Sequence, residues 1–281
     1  MNDLQVCQFK MLKDFVRVCE KYNLTYFVSY GSCIGAVRHK GFIPWDDDID
    51  VMMPREDYDK FLTLQKELDK NYFIQTFKTD PNYIYNYAKL RDSSTTFIEN
   101  FFVNHEINHG VWLDIFPIDG MSYEEVPPHL FSARIKYNWL NTYLMYLPSL
   151  WHKVKRKTFF KDLFFNLVAL IFSPFNLFHY RNRLMERRMK KIPYKDARMV
   201  GFLLDTATKI AAFPKEYFGQ GVKAMFEGLE VTIPTEYDKI LRIIYGDYMT
   251  PPPVPSQCSH HHNKGVDLDT DYKSYRLLHR I

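Results

Sequence analysis

Apolar positions along the chain switch between helical and extended spacing, and the switches mark out its elements. Over residues 4–22, Leu4, Cys7, Phe9, Leu12, Phe15, Val16, Cys19 and Tyr22 recur at helical intervals. Asn2 or Asp3 stands in front as a cap, so a helix is predicted there. Residues 25–30 are rich in β-formers and run into a Gly31-Ser32 turn. Residues 48–53 read as the second strand, ended by Pro54, with a helix over 55–68. Further strands are predicted over 72–77, 83–90, 95–98 and 110–117, the last carrying Asp114 among large apolar residues. Residues 129–213 read as mostly helical, and 216–250 as a strand or loop followed by a helix. Pro251-Pro252-Pro253 then opens a polar tail, and no internal repeat is visible.

The densest chemistry lies between the first two predicted strands, where Gly31-Ser32 precedes Asp48-Ile49-Asp50-Val51. Side chains alternate along a strand, so Asp48 and Asp50 are expected on one side. Two ionised carboxylates about 4 Å apart repel by roughly 4 kcal/mol at an effective dielectric of ~20. A divalent cation holds such a pair charged, and oxygen ligands of this kind suit Mg²⁺ or Mn²⁺. Gly31 allows backbone to approach a phosphate closely, and the Ser32 hydroxyl and neighbouring amides can donate to it. The stretch reads as a metal-dependent phosphate-transfer site.

It also resembles the LicD family of phosphotransferases, grouped with fukutin-type proteins in the polymerase-β-like nucleotidyltransferase superfamily. The superfamily signature is Gly-Ser or Gly-Gly, a spacer, then Asp-apolar-Asp-apolar. The wording here, GAVRHKGFIPWDDDID over residues 35–50, matches the LicD version and is far more specific than that signature. The resemblance extends to the Lys89-Leu90-Arg91-Asp92 block and to the stretch from Trp112 to Gly120. It implies that Asp114 is a third metal ligand on a neighbouring strand, beside Asp48 and Asp50; the alternative is an acid at a strand end facing solvent.

Arg38, His39 and Lys40 follow a short helix expected to begin near Ser32. They either clamp a donor diphosphate or form an exposed basic turn. Lys89 and Arg91 share a strand face, which favours phosphate or acceptor binding over a solvated face. Trp45 shapes the pocket, stacks on a base or wedges the loop; the sequence leaves all three open. Tyr30, Trp45, Tyr87 and Trp112 put rings near the proposed centre, as a cationic headgroup requires and as ordinary packing would also give. Cys258-Ser259-His260-His261-His262 has no second ligand pair at finger-like spacing, so no structural metal is assigned. It reads as a solvated tail, the alternative implied by the resemblance being a role near the active site for histidines after the proline block.

Composition adds bounds. At 281 residues, 46% hydrophobic and 25% charged, the chain is globular in type and long enough for a core with an insertion. Its four cysteines lack Cys-x-x-Cys spacing and nothing at the N-terminus resembles a signal peptide, so a reduced, cytoplasmic setting is expected. The net charge is +4, yet residues 151–191 alone hold eleven Lys/Arg against Asp162 and Glu186. A basic excess this local argues for one anionic contact surface and against nucleic acid as a partner. Within it, residues 163–178 are apolar apart from Asn166, Ser173 and Asn176, with Pro174 interrupting. Sixteen helical residues reach about 24 Å, short of the ~30 Å hydrocarbon core. The segment is either peripheral on an anionic membrane, at the inner face of the plasma membrane, or a buried helix with solvated ends.

The expected fold is α/β: a nucleotidyltransferase-type mixed β-sheet core with flanking helices and a largely helical insertion. The expected division is a catalytic core over 1–120, a basic and aromatic insertion over 121–215, and a segment over 216–281 packing on the core. The resemblance implies transfer of phosphocholine from CDP-choline, or a similar nucleotide donor, to a sugar of a cell-surface glycan. The acceptor class is a teichoic acid, lipopolysaccharide or capsule precursor, lipid-linked oligosaccharides included. The alternatives are transfer of an alditol phosphate or sugar phosphate, an Asp-x-Asp nucleotidyl- or glycosyltransferase, and a non-catalytic polyanion- or membrane-binding protein.

Overall fold

The computed structural model describes residues 1–103, 105–121, 177–202, 212–259 and 261–280. Helix α1 (Asp3–Lys21) begins with a capping box: the Asn2 side chain accepts from the Gln5 amide, and the Gln5 side chain accepts from the Asn2 amide. Its buried stripe contains Met11, Leu12, Phe15, Val16 and Cys19, and each large apolar side chain so buried contributes about 1.5–3 kcal/mol. Strand β1 is only Phe27–Val28, because the chain turns at Ser29 into α2 (Tyr30–Ile34), which widens into a π-helical turn over Gly35–His39.

The central sheet is built from β1, β2 (Asp50–Pro54), β3 (Tyr72–Gln75), β4 (Ala88–Asp92) and the long β6 (Val111–Met121), in the order β1-β2-β6-β4-β3. Strands β2 and β6 are parallel and the remaining pairs antiparallel, so the sheet is mixed. Beyond β2 runs α3 (Arg55–Phe61), and β5 (Thr96–Glu99) leaves the main sheet. After α4 (Leu177–Met189), the far half of β6 pairs with β7 (Met199–Gly201), which pairs with β8 (Phe213–Pro214). Alternation assigns the two faces. Val51, Leu113 and Ile115 point into a core shared with α1, whereas Met52 and Ile118 point into a second core with Met185, Phe202 and Phe213.

Three expectations need correction. Within residues 83–87, Tyr85 stacks on Tyr87 while Tyr83 meets both edge-on, and the strand begins only at Ala88. The segment after α5 (Lys215–Phe218) holds a hairpin, β9 (Val222–Phe226) and β10 (Leu229–Ile233), ahead of α6 (Tyr237–Tyr245). Its turn places Glu227 at φ 49° and Gly228 at φ 80°, the double positive φ of a type I′ turn. The polar tail is structured as well: β11 (Asn263–Asp267) pairs with β5, and α7 (Tyr272–His279) follows, capped by Asp271. The expected helices over residues 129–176, with the apolar segment as far as residue 176 and the basic cluster before it, lie outside the described residues; the basic cluster after it falls on α4 and the turn that follows.

Candidate active site

Asp50 on β2, Asp114 on β6 and Lys89 on β4 form one row across three neighbouring strands, Asp114 being the register partner of both. Asp48 joins them from the loop before β2, two residues earlier than the strand itself. One carboxylate oxygen each from Asp48, Asp50 and Asp114 lies within 4.8 Å of the others. The Asp114 carboxylate is buried, with Oδ2 accepting from Trp112 Nε1 at 3.1 Å. Its Oδ1 lies 3.1 Å from Lys89 Nζ yet accepts no aligned hydrogen bond.

Charge in this neighbourhood does not balance. Lys89 is shared between Asp114 and Glu99, and Arg91 is committed to Glu99 at 3.1 Å. Asp46, Asp48 and Asp50 therefore face one another with only the His261 imidazole, 3.8 Å from Asp48, as a further basic group beside them. Burial first, then the charges of Asp48 and Asp47, push Asp46 up to about 8. Burial likewise lifts Asp48 to about 6 and, with the charges of Asp48 and Asp114 added, raises Asp50 well above the carboxylate range. Oxygen donors that converge, an orphaned buried Oδ1 and uncompensated negative charge fit a divalent cation.

The carboxylates open onto a cavity of about 690 Å³. Of the residues expected at the site, Gly31, Arg38, Trp45, Asp48 and Asp50 line it. Gly31 lies close to the carboxylates: a Cβ there would stand 3.0 Å from Asp46 Oδ2 and press on that side chain. Arg38 reaches the wall through a hydrogen bond to the Tyr248 carbonyl. Tyr30, at φ 49°, also faces the cavity, packed edge-on against Phe116 at 5.6 Å. Phe116 lies two residues beyond Asp114 on the same face of β6, so it stands about 7 Å further along the strand.

Other expected contacts sit elsewhere. Ser32 is buried and its Oγ accepts from the Asp50 amide at 2.9 Å, so it sets the start of β2 rather than meeting a phosphate. Arg91 was expected to touch phosphate or acceptor; it is fully buried, donating to Gln75, Gly110 and Glu99 at 2.8–3.1 Å. Lys89 is buried too, over the Trp112 ring at 4.1 Å, where it balances Asp114. His39 accepts from Arg38 Nε at 3.4 Å and packs edge-on to Trp45. Among the four rings near the centre in sequence, Trp112 is fully buried and Tyr87 packs behind Phe116 at 4.6 Å. Phe116, Phe202, Tyr245 and Tyr248 complete the aromatic wall with Tyr30 and Trp45.

Several residues that organise the site went unmarked in the sequence. Gln5 and Gln8 lie on the buried stripe of α1, and their side-chain amides hold the carbonyls of Asp46 and Asp47 at 3.0 and 2.7 Å. Two glutamines inside an apolar stripe were the available signal. Asp47 accepts from Ser259 and from His261 Nδ1, the latter at 2.9 Å. His261 is thus not part of a solvated tail. Burial opposes charge on its ring, but the hydrogen bond to Asp47 and the charge of Asp48 lift it to about 9. The same pairing outweighs burial at Asp47 and holds its carboxyl below the usual range.

Comparison with known proteins agrees with this geometry. Residues 23–194 match the model of the LicD/FKTN/FKRP nucleotidyltransferase domain. The lipopolysaccharide cholinephosphotransferase LicD of Haemophilus influenzae is 29% identical over 265 residues, covering 93% of this chain and 96% of that protein. An uncharacterised protein of Rickettsia prowazekii is 30% identical over 118 residues, which cover 35% of this chain and 43% of that protein. A match over 172 consecutive positions that contain the Asp48/Asp50/Asp114 row places the chain by more than half its length. The protein therefore belongs to the LicD/FKTN/FKRP nucleotidyltransferase-domain family.

Proposed function

We propose that this protein transfers phosphocholine from CDP-choline to a hydroxyl of a cell-surface glycan or its lipid-linked precursor. The observation that carries the proposal is the convergence of Asp48, Asp50 and Asp114 at the edge of an aromatic cavity. The donor is suggested by the name of the Haemophilus relative, which acts as a lipopolysaccharide cholinephosphotransferase. The cavity suits that donor: a trimethylammonium group offers no hydrogen-bond donor, and aromatic faces attract it by up to ~2 kcal/mol when desolvated.

Asp48, Asp50 and Asp114 would hold the cation, Mg²⁺ or Mn²⁺, and a carboxylate of the cluster would take the acceptor proton. The cation, when bound, supplies charge neutralisation on the donor diphosphate and on the departing cytidine monophosphate. Arg38, on the cavity wall, is placed to meet a phosphate oxygen with its guanidinium. In the overall change the acceptor oxygen forms a bond to the choline-bearing phosphorus, the bond from that phosphorus to the bridging oxygen breaks, and cytidine monophosphate leaves. Lys89 stays behind Asp114, its Nζ 3.1 Å from Oδ1, and orients that carboxylate. The basic run over 151–191, whose residues 177–191 form α4 and the turn after it while 151–176 lie outside the described residues, belongs to this reading as contact with the anionic inner face of the plasma membrane, where lipid-linked acceptors reside. No helix among the described residues is long and apolar enough to cross a membrane.

A donor competition tests the reading. With purified protein, Mg²⁺ and a glycan acceptor, CDP-choline is consumed in preference to CDP-glycerol and CDP-ribitol. Preference for an alditol donor would overturn the choline assignment.

A further inference from the structure

Asp48 precedes β2 by two residues, so no ladder hydrogen bond fixes it. Its loop is held from two sides. Gln5 and Gln8 of α1 hold the backbone at Asp46 and Asp47. Ser259 and His261, from the far end of the chain, hold the Asp47 carboxylate. His261 does more than close this bond. Its Nε2 stands 3.8 Å from Asp48 Oδ2, and its ring packs edge-on against Trp112 at 5.1 Å. Trp112 in turn donates to Asp114. One imidazole therefore touches the supports of both outer members of the carboxylate row. Its own position is fixed by sheet pairing: Gly265 and Val266 lie opposite Ile98 and Phe97, and the Asn100 amide donates to the His262 carbonyl at 3.0 Å.

We infer that His261 is a positioning residue: by donating from Nδ1 to Asp47 it fixes the 46–48 loop so that Asp48 meets Asp50 and Asp114 around a cation. The C-terminal segment completes the cation site, and the catalytic core does not end at β6. The inference rests on the cation site proposed above and is independent of which donor is used.

The test is a Mn²⁺ titration of the metal-free, full-length protein, read by calorimetry or by the electron paramagnetic resonance of free Mn²⁺, with melting temperatures recorded alongside. Supports behind a metal ligand are typically worth ~10–100-fold in metal affinity, and His261→Ala is expected to lose that much while still folded at the titration temperature. His261→Asn places an amide nitrogen where Nδ1 stands and restores most of the affinity; His261→Gln extends to the Nε2 position and does not. Should the alanine variant fold poorly, Ser259→Ala removes the other donor to Asp47 and gives a smaller loss in the same direction. Unchanged Mn²⁺ affinity in His261→Ala and Ser259→Ala overturns the inference. So does rescue by glutamine but not asparagine, which would assign the work to Nε2. A wild-type protein that binds no Mn²⁺ refutes the cation site itself.

Discussion

Asp50 and Asp114 face each other across parallel strands, with Lys89 as the adjacent cation, itself shared with Glu99. Asp50→Asn is therefore expected to abolish transfer and Mn²⁺ binding while stabilising the metal-free fold. The gain is roughly 2–4 °C of melting temperature for each kcal/mol of repulsion relieved; a metal-free melting temperature that falls would contradict the charge account. At the aromatic wall, Tyr245 lines the cavity and is 44% exposed, so its truncation spares the fold. Tyr245→Ala should raise the KM for CDP-choline several-fold, within the ~30-fold set by a 2 kcal/mol contact, and steady-state kinetics at fixed acceptor concentration measure it. The paired aspartates were legible in sequence because two carboxylates at i and i+2 raise an electrostatic problem wherever they fold. Ser32 and Arg91 were not, since a hydroxyl or guanidinium that serves a phosphate looks the same as one that serves a buried amide or carboxylate.

Two elements are tied by a buried ion pair that the site does not use. Arg55, in the first turn of α3, donates Nε and Nη2 to Asp119 near the end of β6 at 2.7 and 2.8 Å, with both side chains buried. Arg55→Ala leaves the Asp119 charge uncompensated and should cost about 3–5 kcal/mol in urea unfolding, whereas replacing both residues with apolar ones should cost much less. Equal costs for the single and double changes would show that the pairing is not what matters. His109 gives α7 a pH-dependent anchor. Its buried Nε2 lies 2.9 Å from Arg276 Nη1 and 2.9 Å from the His105 carbonyl. Burial, followed by the charges of Arg91 and Arg276, holds its pKa down at about 4. A histidine depressed on folding contributes stability above its ordinary value near 6.5, and that contribution fades as pH falls toward 4. The loss amounts to about 3 kcal/mol, and His109→Gln should flatten the stability profile over that window; an unaltered profile would contradict it. At this scale α1, β2, β3 and β6 were legible from spacing alone. The 222–233 hairpin was not, because Glu227-Gly228 is a weaker turn signal than Asn-Gly. Strand β11 was hidden as well: its residues, Asn263 to Asp267, carry only one apolar side chain and rely on β5 for pairing.

Over the whole molecule, the candidate site is assembled from segments far apart in sequence. Gln5 and Gln8 come from the first helix, Asp48 from the loop before β2, Asp50 and Asp114 from the central strands, Tyr245 from α6, and Ser259 and His261 from the last segment. Local motifs reveal the central part of that assembly, because the chemistry is concentrated within a few residues. Its supports are brought in by tertiary packing and leave no spacing to read. The account as a whole claims that the three aspartates hold a cation which makes phosphocholine transfer possible. The most direct test is the rate of cytidine monophosphate release from CDP-choline, with a glycan acceptor present, as Mg²⁺ is restored to EDTA-treated protein, for the wild type and for Asp114→Asn. The account predicts no release without metal, recovery that saturates with Mg²⁺ in the wild type, and none in the variant; release undiminished in excess EDTA, or a cytidine diphosphate product, would contradict it.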